Sequence, residues 1–383
     1  MPDTPPVEGR RVTRITCIVN QRFSARAVEP LQALGLCSGF VQSGRCVRQF
    51  VRARRWGLPG TTSEIQASPM DIFRMTVLPG EAFGLMQSLV QALELDIPGR
   101  GSVLAQEAIE YSLLPVENRA QGIGHHSGVP VPGASIFKDL ALITAILSEP
   151  GSGEQFSRAA LEFGTGVPLI TLGSGTGIRN RLGLLRITIP PEKEIVQLIV
   201  PAHDAAGVFR LLIESTRIDR PGGGFVYQTP VAYGLTDALI RIGRQQHAAS
   251  IEQMIAVLDE IKRGTAWRKR FCVEESRAGD VHGLHGNFRE VFFVCAEGGA
   301  SVLVAAAMQV GGGGATITRA GRVAAGAEGE ITAREQGVVC VAPEVARHVV
   351  TAILGAAADI GDSTCVVQVM DAPAAFAYRR GTR

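Results

Sequence analysis

The stretch Asp96-Ile97-Pro98-Gly99-Arg100-Gly101 decides how the fold is predicted, because similar stretches occur twice more in the chain. Residues 219–224 (DRPGGG) and residues 359–362 (DIGD) likewise follow helix-like segments and precede apolar runs. The first two turns begin 123 positions apart, and the same offset separates Asp71 from Glu194, the acidic residues that open two earlier apolar runs. Self-similarity at a fixed offset indicates internal repeats.

The residues around these turns predict the same order of elements each time. In the first copy, a strand over Ile72–Leu78 is followed by a helix over Glu81–Leu95 and then by the turn. In the second copy, a strand over Ile195–Val200 is followed by a helix over Ala205–Thr216. With the strand, helix and strand that precede them, the order is β-α-β-β-α-β, which is the ferredoxin-like arrangement. The sequence therefore predicts an α+β fold of three ferredoxin-like repeats.

The predicted domain boundaries follow from this periodicity. They are 11–115 for the first repeat, 137–235 for the second repeat, 236–285 for a linker helix and loop, and 286–375 for the third repeat.

Composition restricts the classes of function. A formal charge of +2 is too small to predict a nucleic-acid partner. Seven cysteines without CxxC spacing predict neither a disulfide framework nor a zinc site, and the pair His282 and His285 is too isolated to predict a metal centre. Residues 1–11 are polar and contain no apolar segment of signal-peptide length, and no uninterrupted apolar stretch reaches the length of a membrane span, so we expect a cytoplasmic protein.

Two passages resemble PII-like signal-transduction proteins. Residues 183–196 (GLLRITIPPEKEIV) look like a strand and loop return of that family, and residues 313–318 (GGATIT) are similar to its second strand. The resemblance implies that one chain supplies three PII-like positions and acts as a monomeric pseudo-trimer. It also implies an adenine nucleotide effector (AMP, ADP, ATP or cyclic AMP), bound between neighbouring repeats without a predicted metal.

The resemblance implies a set of nucleotide-binding residues at the base of each long loop and at each following turn. Glycines in such places let backbone amides approach an anion, and arginine can add a bidentate phosphate contact. An ordinary tight turn explains the same glycines without any ligand. The residues are Gly173, Gly175, Thr176, Gly177, Arg217, Arg220, Gly222, Gly223 and Gly224 in repeat two, Gly44, Arg45, Gly99, Arg100 and Gly101 in repeat one, and Gly321 and Arg322 in repeat three.

These residues lead to a non-enzymatic interpretation. Asp362 in the third turn is expected to repel a phosphate, so we expect one or two competent clefts. No lysine or tyrosine occupies the predicted loops, which argues against 2-oxoglutarate sensing and against uridylylation. The resulting hypothesis is a regulator of nitrogen-regulatory type that controls a membrane transporter or a metabolic enzyme. The alternatives are an interaction module with degenerate clefts and a CutA-like metal-tolerance protein.

Overall fold

The computed structural model describes most of the chain in eleven stretches. They are residues 8–26, 38–53, 61–114, 136–162, 165–177, 192–216, 218–220, 222–237, 240–242, 284–324 and 331–377.

Strands and helices alternate along these stretches. The strands are β1 (Arg10–Asn20), β2 (Ser38–Ala53), β3 (Thr61–Val77), β4 (Gly101–Ser112), β5 (Phe137–Leu147), β6 (Leu169–Gly177), β7 (Glu192–Pro201), β8 (Gly224–Leu235), β9 (Ile240–Ile242), β10 (Leu284–Ala296), β11 (Gly314–Ala324), β12 (Ile331–Val341) and β13 (Val366–Ala377). The α-helices are α1 (Ala82–Leu93), α2 (Ser152–Glu162), α3 (Ala205–Ser215), α4 (Ala300–Gln309) and α5 (Pro343–Asp359), and short 3-10 turns cover Gln21–Phe23 and Pro79–Glu81.

All thirteen described strands belong to one hydrogen-bonded sheet. We call residues 10–112, 137–235 and 284–377 the first, second and third segments. Within them the strand orders are β4-β1-β3-β2, β8-β5-β7-β6 and β13-β10-β12-β11. The pairing between these twelve strands is antiparallel, and only the short β9 pairs in parallel, with β2.

The sheet closes on itself through two junctions. At one junction β4, β8 and β13 pair with one another. At the other junction β2, β6 and β11 do the same. Closure leaves few unpaired strand edges, which are otherwise sites of uncontrolled association.

The predicted fold class, three ferredoxin-like repeats in a pseudo-trimer, is therefore wrong. That prediction placed three separate sheets face to face around an axis, whereas the strands of all three segments are hydrogen-bonded into one closed antiparallel sheet. The reason is that a sequence shows the order of strands along the chain but not which strand edges pair. The predicted domain boundaries stay predictions, and most of the predicted linker, 236–285, lies outside the described residues.

The two faces of the sheet differ in polarity. In β1, Ile15, Cys17 and Val19 are buried against α1 in one apolar cluster. The alternate residues Arg14 and Thr16 point to the opposite face, which lines the interior of the closed sheet. Alternation with period two is what a strand requires when its two faces meet different surroundings. Matching clusters hold α2 with α3 in the second segment and α4 with α5 in the third.

Two glutamates at matching positions of the second and third segments, Glu194 in β7 and Glu335 in β12, have a structural role. Glu194 Oε2 accepts a hydrogen bond from the Gly153 amide at 2.6 Å, at the start of α2. Glu335 Oε2 accepts one from the Ala300 amide at 2.9 Å, at the start of α4. A carboxylate at a helix N-terminus satisfies an otherwise unpaired amide and interacts favourably with the helix dipole.

Candidate functional site

The first turn is already occupied by a carboxylate of the chain itself. The amide of Gly99, which has φ +90°, donates to Asp237 Oδ1 at 2.7 Å. Asp237 follows β8 and also forms a buried ion pair with Arg48 of β2. The amide that was predicted to face a phosphate thus faces an internal anion whose charge Arg48 balances.

The neighbouring arginines of the first segment are engaged in other contacts. Arg100 Nη1 lies 2.6 Å from Glu94 Oε2, and its guanidinium stacks on the ring of Phe23 at 4.3 Å. Arg45 lies in β2, with Nη2 3.7 Å from Glu194 Oε1.

Next to Arg45 in the chain, Gly44 packs closely against the second segment, because a Cβ on Gly44 would come within 3.0 Å of the Ile170 carbonyl oxygen. These contacts join the first segment to itself or to the second.

Gly101 has a strict structural role. Its φ is +152°, and a Cβ there would overlap with the carbonyl oxygen of Ile18. Gly224, 123 positions later, has φ +149° and faces the carbonyl oxygen of Ile146 in the same way. Both glycines therefore allow a close approach of two strands, which accounts for their recurrence in the two turns.

The third turn is also closed by an internal carboxylate. Asp362 accepts hydrogen bonds from the Ala296 amide at 2.7 Å and from the Thr364 hydroxyl at 2.6 Å. Arg334 lies 4.0 Å away, and only 7% of Asp362 is exposed. The predicted residues Gly321 and Arg322 lie in β11 and pair with β2.

In the second segment, the stretch predicted to form the base of a loop is a strand. Gly173, Gly175, Thr176 and Gly177 belong to β6, which lies between β7 and β11. Their backbone positions are part of the sheet ladder, so they do not form an anion-binding nest. A Cβ on Gly173 would come within 2.8 Å of the Ile317 carbonyl oxygen of β11.

The second turn is the most open of the three. Gly222 has φ +83° and no atom within 4 Å of the position of a Cβ. The Gly223 amide donates to the Arg220 carbonyl at 3.0 Å, and Arg220 is exposed. Within the described part of this turn, no side-chain carboxylate fills it. Arg217 lies outside the described residues.

The most polar buried region lies in the interior of the closed sheet and was not predicted from the sequence. It contains a cavity of about 50 Å³. Its lining residues are Arg14, Gln42, Arg74, Thr144, Ile146, Thr171, Ile195, Gln197, Tyr227, Glu290, Phe292, Thr316, Thr318, Gln336 and Val338. A second cavity of about 30 Å³ shares Arg14, Arg74 and Gln197 with it. We call these two cavities together the interior cavity.

Hydrogen bonds fix the charged side chains of the interior cavity. Arg14 Nη2 donates to Glu290 Oε1 at 3.1 Å and to Gln106 Oε1 at 3.0 Å. Arg74 Nη1 donates to Gln42 Oε1 at 2.8 Å and to Gln336 Oε1 at 3.1 Å. Two of these four hydrogen bonds, Arg14–Glu290 and Arg74–Gln336, join the first segment to the third across the interior of the closed sheet.

Burial shifts the titration of this network. Removal from water, followed by the nearby charge of Arg14, lowers the pKa of Arg74 to about 10. Burial, and then the carboxylate of Glu290, raise the pKa of Tyr227 well above its ordinary value. At neutral pH Arg74 is therefore still a cation and Tyr227 is neutral. The sequence signal that could have revealed the region is polar residues at alternate positions of otherwise apolar strands, as in Arg14 and Thr16.

Among the described residues, no group of three or more His, Cys, Asp or Glu side chains is placed to hold a metal ion. None of the described helices has both the length and the apolar character needed to cross a membrane. The cytoplasmic location stays a prediction.

The chain matches none of the known protein-family models. It also matches none of the curated proteins. The resemblance to PII-like proteins therefore stays a prediction, carried only by the two passages in which it was seen.

Proposed function

We propose that this chain is a non-enzymatic interaction protein that binds a partner protein through its three hairpins, β2–β3, β6–β7 and β11–β12. The observation that carries the proposal is the junction of β2, β6 and β11, where the three hairpins are hydrogen-bonded to one another. Three hairpins that lie side by side form one continuous surface. The hydrogen bonds between their strands fix their relative positions without a bound ligand.

Exposed apolar side chains beside this junction support the proposal. Leu172 is 70% exposed and lies between the part of β6 that pairs with β2 and the part that pairs with β11. Ile331 is 59% exposed and begins β12, beside the end of β11 that pairs with β2. Large exposed apolar side chains near a shared strand junction are the kind of residue that protein interaction sites contain.

The internal carboxylates favour interaction over nucleotide sensing as the function. Asp237 and Asp362 occupy the first and third turns, so an incoming phosphate would have to displace a buried carboxylate and its arginine. A regulator that binds adenine nucleotide and controls a membrane transporter or a metabolic enzyme stays a prediction, and the second turn is where it would have to bind.

Calorimetry separates these two functions. We expect no saturable heat when the purified chain is titrated with AMP, ADP, ATP or cyclic AMP. Micromolar binding of any of them that is lost in Arg220→Ala would contradict the proposal and support the nucleotide prediction instead.

Site-specific photo-crosslinking tests the hairpin surface directly. A photoreactive residue at Leu172 is expected to give a discrete crosslinked species in cells of the source organism. The matched control is Val302, an exposed apolar residue (44%) on α4. Identical crosslinks from both positions, or none from Leu172, would exclude the hairpins as the binding surface.

A further inference from the structure

Two buried nitrogen atoms in the interior cavity have no hydrogen-bond partner. They are Nε of Arg14 and Nε2 of Gln336, and both residues line the larger part of the cavity. Only 6% of Arg14 and 2% of Gln336 is exposed. Both atoms carry hydrogens and can only donate. A buried donor without a partner is destabilising, so two in one cavity indicate a missing acceptor.

The orientation of these donors is fixed by their neighbours. Arg74 donates to the oxygen of the Gln336 side-chain amide, which leaves the nitrogen of that amide free. Glu290 and Gln106 hold one end of the Arg14 guanidinium, which leaves its Nε–H unpaired. The two donors are therefore left unpaired because the other polar atoms of Arg14 and Gln336 are already held in their hydrogen bonds.

The charged side chains that line the cavity leave one positive charge unbalanced. Its charged lining residues are two cations, Arg14 and Arg74, and one anion, Glu290. Glu290 pairs with Arg14 at 3.1 Å, while the described hydrogen-bond partners of Arg74 are two neutral glutamines. An unbalanced buried charge destabilises the folded protein, and a bound ion of opposite sign offsets that effect.

The size of the cavity limits what can bind. A volume of about 50 Å³ holds one small ion or a few water molecules, but not a nucleotide, a sugar or an amino acid. Threonine hydroxyls surround this space and can rotate to donate further hydrogen bonds. They belong to Thr144, Thr171, Thr316 and Thr318.

We propose that the interior cavity binds a small inorganic anion of the halide class, chloride, between Arg14, Arg74 and Gln336. Chloride accepts several N–H and O–H donors at once and supplies the missing negative charge. Removal from water, and then the charge of Arg14, lower the pKa of Arg74 to about 10, and a bound anion would offset the second of these two causes. The site is separate from the hairpin surface, and it does not depend on the proposed function.

Melting curves at constant ionic strength test this proposal. Replacing sodium gluconate stepwise with sodium chloride is expected to raise the melting temperature saturably, by about 2–4 °C. Gln336→Glu places a carboxylate beside Arg74, so this variant is expected to lose the chloride dependence and to melt in gluconate as the parent does in chloride. Gln336→Met, which removes the donor without adding a charge, is expected to have a lower melting temperature in both salts than the parent protein has in chloride.

Crystals soaked in sodium bromide give a readout that does not depend on a variant folding. An anomalous peak within hydrogen-bond distance of Arg14 Nε and Gln336 Nε2 is the expected result. Equal melting temperatures in chloride and gluconate, together with water-like density and no anomalous peak in the cavity, would overturn the proposal.

Discussion

At the scale of single residues, the recurring glycines of the turns are explained by strand packing rather than by a ligand. Gly101 allows β4 to approach the Ile18 carbonyl, and it has a backbone conformation that side chains rarely adopt. The same residue type in the same motif is also what an anion-binding turn would need, so the sequence could not distinguish the two roles. The deciding atoms, on Ile18 and on Asp237, are distant in the sequence.

We expect Gly101→Ala to lower the free energy of unfolding by at least about 2 kcal/mol, because a Cβ would collide with backbone atoms that cannot move alone. The control is Gly80→Ala, where no atom lies within 4 Å of a Cβ position. It is expected to change stability by no more than about 0.5 kcal/mol. Urea denaturation of both variants measures the difference. Equal stability would show that strand β4 does not approach β1 as described.

At the scale of elements, the sequence predicted the local order well and the environment of each element poorly. The strand predicted over Ile72–Leu78 and the helix predicted over Ala205–Thr216 correspond to β3 and α3. By contrast, 173–177 was predicted as a loop because of its glycines, yet it is part of β6. Gly173 pairs with β7, and Gly175 and Gly177 pair with β11, which lies far along the chain; this pairing outweighs the low strand propensity of glycine.

The offset of 123 drew attention to Glu194 but did not show its role, and Glu335, which does not follow that offset, holds the matching position in the third segment. Glu335 accepts the Ala300 amide at the start of α4. We expect Glu335→Ala to lower the free energy of unfolding by about 1–2 kcal/mol, because a helix amide and a favourable charge interaction are lost. Glu297→Ala, at an exposed site before the same helix, serves as the control and should cost less than about 0.5 kcal/mol. Equal costs in thermal unfolding would contradict the capping role of Glu335.

At the scale of the whole molecule, the closed sheet creates both proposed binding sites, the hairpin surface and the interior cavity. The junction of β2, β6 and β11 brings the hairpins together. Closure also creates the interior cavity, where residues from different segments meet, as Arg14 and Glu290 do. Neither site could be predicted from the sequence, because each depends on contacts between residues more than 100 positions apart. Repeats and hydrophobic periodicity indicate only the local order of strands and helices.

The most direct test of the closed sheet is a disulfide across the β4–β13 pairing, where Ile109 faces Val369. Cβ atoms of facing residues in antiparallel strands lie about 4.5–5.5 Å apart, close enough for a disulfide after a small adjustment. The double variant Ile109→Cys with Val369→Cys is expected to form an intramolecular link under mild oxidation, visible by non-reducing electrophoresis and peptide mapping, while neither single variant does. Two thiols that stay unlinked in the folded protein would show that the first and third segments are not joined, and the closed sheet would be contradicted.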